Sequence, residues 1–314
     1  MLGRGVAERL ASRGPESLFA PEVVTAARSA DLFVLNLECC ISERGAPWPD
    51  PYKPFFFRAP PAAVEALRLL GVSCVTLANN HALDYGEEAL LDTLAHLDAA
   101  GIERVGAGPN VERARAPVVL EAENGFRLAV IGITDHPAVY AAGQERPGIA
   151  YANLWDEDVP EWLVGAIRRA REEADAVLVT PHWGPNMSAE PAPHVRRAAA
   201  QLVEAGVTLV AGHSAHVVQR AEGRVLFDLG DFLDDYAVHP GLRNDLGALW
   251  LVDLDSSGVR RLDILPLRLD YCHTRLATGA DLEWIEERFS AAAPSGSTFT
   301  ISVGGGDPRE PDPA

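Results

Sequence analysis

The sequence predicts a mixed-sheet α/β sandwich, folded as a single domain over residues 1–293. Strand-like runs alternate with helical patterns along most of the chain, antiparallel hairpin signals lie between and after those units, and no linker or internal repeat divides it. With 314 residues, 47% of them hydrophobic and 23% charged, the chain is long enough to bury a large core.

Each element follows from local pattern. DLFVLNL (Asp31 to Leu37) is apolar and β-branched enough for a buried strand, and SCV before Thr76 reads as a second. Glu87 to Ala100 carries Leu90, Leu94 and Leu97 on one stripe, the mark of a helix. PVVLEAENGFRLAVIGIT predicts a hairpin turning at Asn124-Gly125, the strongest short hairpin signal. Glu161 to Glu173 is helical, with Leu163, Ile167 and Ala170 on one face, and Asp175 to Thr180 is a buried strand. Val195, Ala198, Ala199, Leu202 and Val203 repeat at helical spacing, and VTLVAG follows as a strand. Further hairpins turn at Glu222-Gly223 and near Ser257-Gly258. The Gly/Pro/Ser-rich tail, residues 294–314, is expected to be disordered.

Charge and cysteines narrow the function classes. The formal net charge of −18 argues against nucleic acid or an anionic membrane as the main partner. Cys39, Cys40, Cys74 and Cys272 read as free thiols in a reducing compartment, two of them being adjacent and a poor disulfide framework. No apolar run approaches the length of a membrane span and no signal peptide is visible, so a soluble, cytoplasmic protein is expected.

The chemistry gathers where strands end. NLE follows DLFVL, NNHALD follows SCVTLA, HWG follows DAVLVTP and GHSAH follows VTLVA. Ligands of open α/β sheets bind outside the carboxyl ends of strands, so one crevice is expected to collect Asn36, Glu38, Asn80, His81, Asp84, His182, His213 and His216. Imidazole nitrogen and hard oxygen are donors for Mn, Fe or Zn, and recurrence at several strand ends favours a shared metal site. Asp84 also reads as a helix N-cap, with Glu87 completing a capping box. His96, His194, His239 and His273 lack partners in pattern and are assigned to the surface.

Together with YKPFFFRAPP (Tyr52 to Pro61), these motifs resemble, in order from Met1 to about Tyr271, the CapA/PgsA-type capsule (poly-γ-glutamate) synthesis family, itself similar to the calcineurin-like metallophosphoesterases. The resemblance implies a four-layer α/β/β/α sandwich with two divalent ions at one sheet edge. It implies Glu38 as bridging carboxylate, Asn80, His182, His213 and His216 as metal ligands, and His81 as the catalytic acid. The chain departs from the phosphoesterase pattern in lacking an Asp-x-His pair, in using Glu38 where an Asp is usual, and in reading His-x-x-His from His213.

The function expected from residues and resemblance together is a metal-dependent hydrolase of a small anionic substrate: a phosphoester, an acyl phosphate or a glutamyl peptide. Asp84 would orient His81, while Arg4, Lys53 and Arg58 recruit the anion and Asn36 and Trp183 line the pocket, Trp183 serving equally as packing. The rival is an accessory protein or pathway enzyme in capsule or peptide biosynthesis without general phosphatase activity. MLGR at the start resembles the end of the family's Gly-Asp-x-Met-Leu-Gly-Arg motif, so a first strand ending in Gly-Asp is expected upstream of Met1. Asp228 or Asp231 is the alternative source of that carboxylate.

Overall fold

The computed structural model describes residues 1–290 and 301–303. Two helices come first, α1 (Arg4–Arg13) and α2 (Pro21–Arg28), burying Val6, Leu10, Val23 and Ala27. Pro21 suits the first turn of α2, where an N–H would have no helical acceptor. The next segment holds β1 (Val34–Asn36), β2 (Cys40–Ile41), β3 (Arg58–Ala59), α3 (Val64–Leu70), β4 (Cys74–Thr76), α4 (Gly86–Ala100) and β5 (Glu103–Val105). Gly101 ends α4 in the left-handed region, φ 70°, as a helix C-terminus favours. Then come β6 (Ala107–Gly108), α5 (Val111–Arg115), β7 (Val118–Glu121), β8 (Arg127–Thr134), β9 (Gly148–Ile149), α6 (Glu161–Glu173), β10 (Ala176–His182), α7 (Pro193–Ala205) and β11 (Leu209–Ala211). The last elements are β12 (Ala221–Glu222), β13 (Val225–Leu226), β14 (Leu246–Asp255), β15 (Gly258–Asp270), β16 (His273–Leu276), α8 (Ala280–Ser290) and β17 (Ile301–Val303).

The sheets are mixed. One runs β12-β13-β11-β10-β8-β7, parallel through its centre and antiparallel at both edges; a second is β1-β4-β5, all parallel; a third is β14-β15-β16, with β17 on β15. β8 shows why the large sheet is covered on both faces. Ala129, Ile131 and Ile133 pack with Leu163, Ile167, Ala198 and Leu202 of α6 and α7, while Leu128 and Val130 join Cys74, Leu178 and Leu262 on the other face. Leu67, Leu90, Leu94 and Leu97 of α3 and α4 cluster with Val75 and Leu77 beside the β1-β4-β5 sheet.

β1 pairs with β4 alone and β14 with β15 alone, so each has an open edge among the described residues. Between them lies a cavity of about 610 Å³. It is lined by every residue from Asp31 to Glu38 and from Ala248 to Leu254. Unbroken runs, rather than alternate residues, mean that strand edges and not only faces border it. β1 is accordingly shorter than DLFVLNL suggests, and its residues are only half-buried. The expected disordered tail lies outside the described residues except for Ile301–Val303, which runs parallel to β15.

Candidate active site

The loop after β4 builds the first half of the site. Asn79 is fully buried and spends its amide on three bonds: Nδ2 donates to Asn36 Oδ1 (2.9 Å) and Leu37 O (3.0 Å), and Oδ1 accepts the His81 N–H (3.1 Å). Asn36 passes the constraint on, donating from Nδ2 to Glu38 Oε2 at 2.9 Å. Glu38 is thereby fixed with Oε1 buried and without a hydrogen-bond partner, 3.9 Å from His81 Nε2 and 4.0 Å from His216 Nε2.

Asp84 corrects one expectation. Helix α4 begins at Gly86 with no side-chain cap, so Asp84 is not its N-cap and Glu87 completes no capping box. Its Oδ2 instead accepts the Phe57 N–H (2.6 Å) and lies 2.6 Å from His81 Nδ1. Its Oδ1 forms an ion pair with Lys53 Nζ at 2.9 Å, without hydrogen-bond alignment. The imidazole of His81 also stacks on the Phe57 ring, 4.0 Å between centroids. The carboxylate, the aromatic face and the backbone bond together leave the ring one orientation, with Nε2 directed past Glu38.

The second half comes from neighbouring parallel strands. β8, β10 and β11 lie side by side, with Thr134 opposite His182 and His182 bridged to His213. His182 and His213 approach through their Nδ1 atoms at 2.9 Å, and His213 Nε2 meets Thr180 Oγ1 at 3.1 Å. Both nitrogens of His213 are therefore engaged, whereas His182 Nε2 is buried and unpartnered. Burial first, and neighbouring imidazoles second, push His182 far down and His213 down to about 3, so both rings are neutral.

The turn after β11 is strained. Ser214 (φ 125°) and His216 (φ 59°) are both left-handed, at about 1–3 kcal/mol each. Asp228 holds the turn in place, accepting the Ala215 N–H at 2.6 Å and the Gly230 N–H at 2.9 Å, and burial lifts its carboxyl to about 7. His216 Nδ1 lies 3.0 Å from Asp231 Oδ1. Burial disfavours a charge on His216, but Asp231, Glu38 and Asp228 outweigh it and raise the imidazole to about 10. Burial and the neighbouring Asp231 lift Asp234 to about 8, and the two carboxyls share a side-chain hydrogen bond.

The other assigned residues are held by partners within the protein. Asn36 orients Glu38 and also borders the cavity. Lys53 is tied to Asp84 and to Asn80 O (2.9 Å). Arg4 pairs with Asp235 at 3.2 Å, and Arg58 lies over the Tyr85 ring. Trp183 is buried in the core beneath α7, donating to Phe227 O at 2.9 Å, because Gly212 has no Cβ to obstruct the indole. His194 is buried against Asp135, a correction to its surface assignment, and His273 is half-buried with Nδ1 near Ser17 O; His96 is half-buried and His239 exposed. Sequence reasoning passed over Asn79 and the pair Asp135-His136, although TDH follows the apolar run of β8 just as HWG follows that of β10.

No group of three or more His, Cys, Asp or Glu among the described residues is drawn together as around an ion. The donor types nevertheless fit a divalent transition metal: Glu38 Oε1, Asn80 Oδ1 and His182 Nε2 are all buried without partners, an arrangement costly unless a ligand completes it. A profile described as bacterial capsule synthesis protein PGA_cap matches residues 1–236. The chain belongs to that capsule synthesis family. It is 32% identical over 271 residues to a probable polyglutamine synthesis accessory protein of Mycobacterium tuberculosis, covering 82% of this chain and 71% of the relative. The PGA biosynthesis protein CapA of Bacillus subtilis is 28% identical over 272 residues (85% and 69% covered), and the capsule biosynthesis protein CapA of Bacillus anthracis 31% over 226 (69% and 53%). In this member of the family, no helix among the described residues is long and apolar enough to cross a membrane.

Proposed function

We propose that this member of the capsule synthesis family is a metal-dependent hydrolase of a small anionic substrate, a phosphoester or a related acyl phosphate or glutamyl peptide. The observation that carries this reading is the buried, unpartnered donor set beside an imidazole held by a buried carboxylate. Glu38, Asn80, His182 and His216, with Asp231 as a further carboxylate, would hold one or two ions of Mn, Fe or Zn, and such ions supply Lewis acidity and lower the pKa of water. His81 donates from Nε2 to the leaving oxygen, with Asp84 fixing the ring through Nδ1. Asn79 and Asn36 hold Glu38 so that Oε1 stays directed between His81 and His216. His213 keeps the His182 ring in place through its Nδ1 contact. The test is release of phosphate or nitrophenol from generic esters by purified protein with Mn2+. Metal-replete protein that cleaves none of them would sink the reading.

A second reading has specific support in the printed names of the relatives, which are biosynthesis and accessory proteins. Under it, the same pocket binds a capsule or peptide intermediate without general phosphatase activity. Co-purification with a membrane-bound ligase or exporter, together with inert behaviour towards esters, would favour it.

The layering belongs to the same proposal. Under it, helices α6 and α7, the large sheet, the two smaller sheets and helices α3 and α4 would form the four layers of an α/β/β/α sandwich. One more extended strand between the open edges of β1 and β14 would join the smaller sheets into one.

A further inference from the structure

We propose that His136 is a further substrate-contacting residue, presenting Nε2 to an oxyanion of the ligand, and that Asp135 is its positioning residue. The proposal rests on the reading of this sheet edge as an active site.

His136 stands just beyond β8, in the row of strand ends that carries His182 and His213, and its ring centroid is 5.0 Å from that of His182. Its side chain is 32% exposed, against 8% for His81 and 10% for His216. Of these imidazoles it is the one a solute reaches first. Its placement is nonetheless over-determined. Nδ1 lies 2.5 Å from Asp135 Oδ1, its backbone N–H donates to Thr134 Oγ1 (3.2 Å), and its carbonyl accepts from the same hydroxyl (2.6 Å). Asp135 is fully buried and itself braced, with Oδ2 3.2 Å from both His194 Nε2 and the Gly184 N–H. Trp155 stacks on His194 and closes that chain of contacts on the outside. A ring fixed at its backbone and at Nδ1 keeps Nε2 for something beyond the protein.

Charge decides the class of ligand. The carboxylates of the site, Glu38, Asp84, Asp228 and Asp231, gather around His81 and His216. On the other side the acid is Asp135, whose oxygens are already occupied. The cations expected to recruit an anion are also engaged: Lys53 with Asp84, Arg4 with Asp235, and Arg58 over Tyr85. Among the described residues, His136 is a part-exposed imidazole beside His182 with only Nδ1 engaged, which suits its Nε2 to a phosphate or carboxylate oxygen.

The test is calorimetric titration of inorganic phosphate, and separately L-glutamate, into Mn2+-loaded protein and its variants. For at least one anion, His136→Ala should weaken binding about tenfold to a hundredfold with metal content unchanged, the loss of one charge-assisted hydrogen bond. His136→Gln, which offers an N–H at a similar reach, should recover part of the affinity. Asp135→Asn should weaken binding less than His136→Ala and raise KM more than it lowers kcat. Which anion responds distinguishes a phosphate from a carboxylate ligand. Equal affinity in wild type and His136→Ala, metal loss in His136→Ala, or no binding of either anion by wild type would each overturn the proposal. Intact anion binding without ester cleavage would instead count against the hydrolase reading alone.

Discussion

Asp84 holds His81 and Lys53 at once, with Oδ2 2.6 Å from the imidazole Nδ1 and Oδ1 2.9 Å from the ammonium. The carboxylate is wholly buried and Lys53 nearly so. Asp84→Ala therefore leaves a buried ammonium unpaired, and a loss of about 3–5 kcal/mol in urea unfolding is expected. Adding Lys53→Met should recover much of that loss, a non-additivity that a double-mutant cycle reads directly. Asp84→Asn should spare more stability while lowering turnover by roughly 10² through the loosened His81.

The two neutral histidines should differ in metal binding. His182 has a free, buried Nε2, whereas both nitrogens of His213 are engaged within the protein. His182→Ala should remove most bound transition metal, and His213→Ala should leave a larger share at reduced affinity. Elemental analysis after dialysis against Mn2+ decides this; full occupancy in both variants would show that neither ring is a ligand, and equal loss in both would overturn the difference.

The thiols should be silent in the native state. Burial lifts Cys39 and Cys272 to about 11, Cys74 to about 12 and Cys40 higher still. Thiolate is the reactive form, so at pH 8 iodoacetamide should label essentially none of the four cysteines until denaturant is added. Rapid labelling of a folded sample, followed by mass spectrometry, would contradict the burial.

Gly212 should not tolerate a side chain. A Cβ there would collide with the Phe227 carbonyl and the indole nitrogen of Trp183, which are bonded to each other. Gly212→Ala should cost about 1–3 kcal/mol and change the emission of Trp183 as its hydrogen bond is displaced. A Tm unchanged within error would mean that the turn relaxes freely.

Much of this was legible in the sequence, for identifiable reasons. Helix α6 spans Glu161–Glu173 as its apolar stripe demands, and the Asn124-Gly125 turn sits where φ 83° at Gly125 requires glycine. His182, His213 and His216 do share one sheet edge, because strand ends in a parallel sheet coincide. Less legible was anything set by a partner distant in sequence. Asp84 satisfies the spacing rule for a cap, yet it is claimed by Phe57 and Lys53, 27 and 31 residues away, which no helix pattern encodes. His194 looks solitary on its helix until β8 delivers Asp135 beside it. β1 is shortened because strand length depends on neighbours, and one of its edges is open. Asp135-His136 obeys the same strand-end rule, one strand over from His182.

The two halves of the site belong to different sheets. Glu38, Asn80 and His81 follow strands of the β1-β4-β5 sheet, while His182, His213 and His216 follow strands of the large one. The 4.0 Å between Glu38 Oε1 and His216 Nε2 therefore spans two slabs, which meet in an apolar cluster that includes Val34, Leu178 and Leu209. A slip of one slab by a few tenths of an ångström changes every distance across the centre while leaving each half internally intact. Substitutions in that cluster should consequently behave as tuning mutations, altering reactivity with local geometry preserved, and a molecule wedged into the cluster would act as a remote control on a site it never touches.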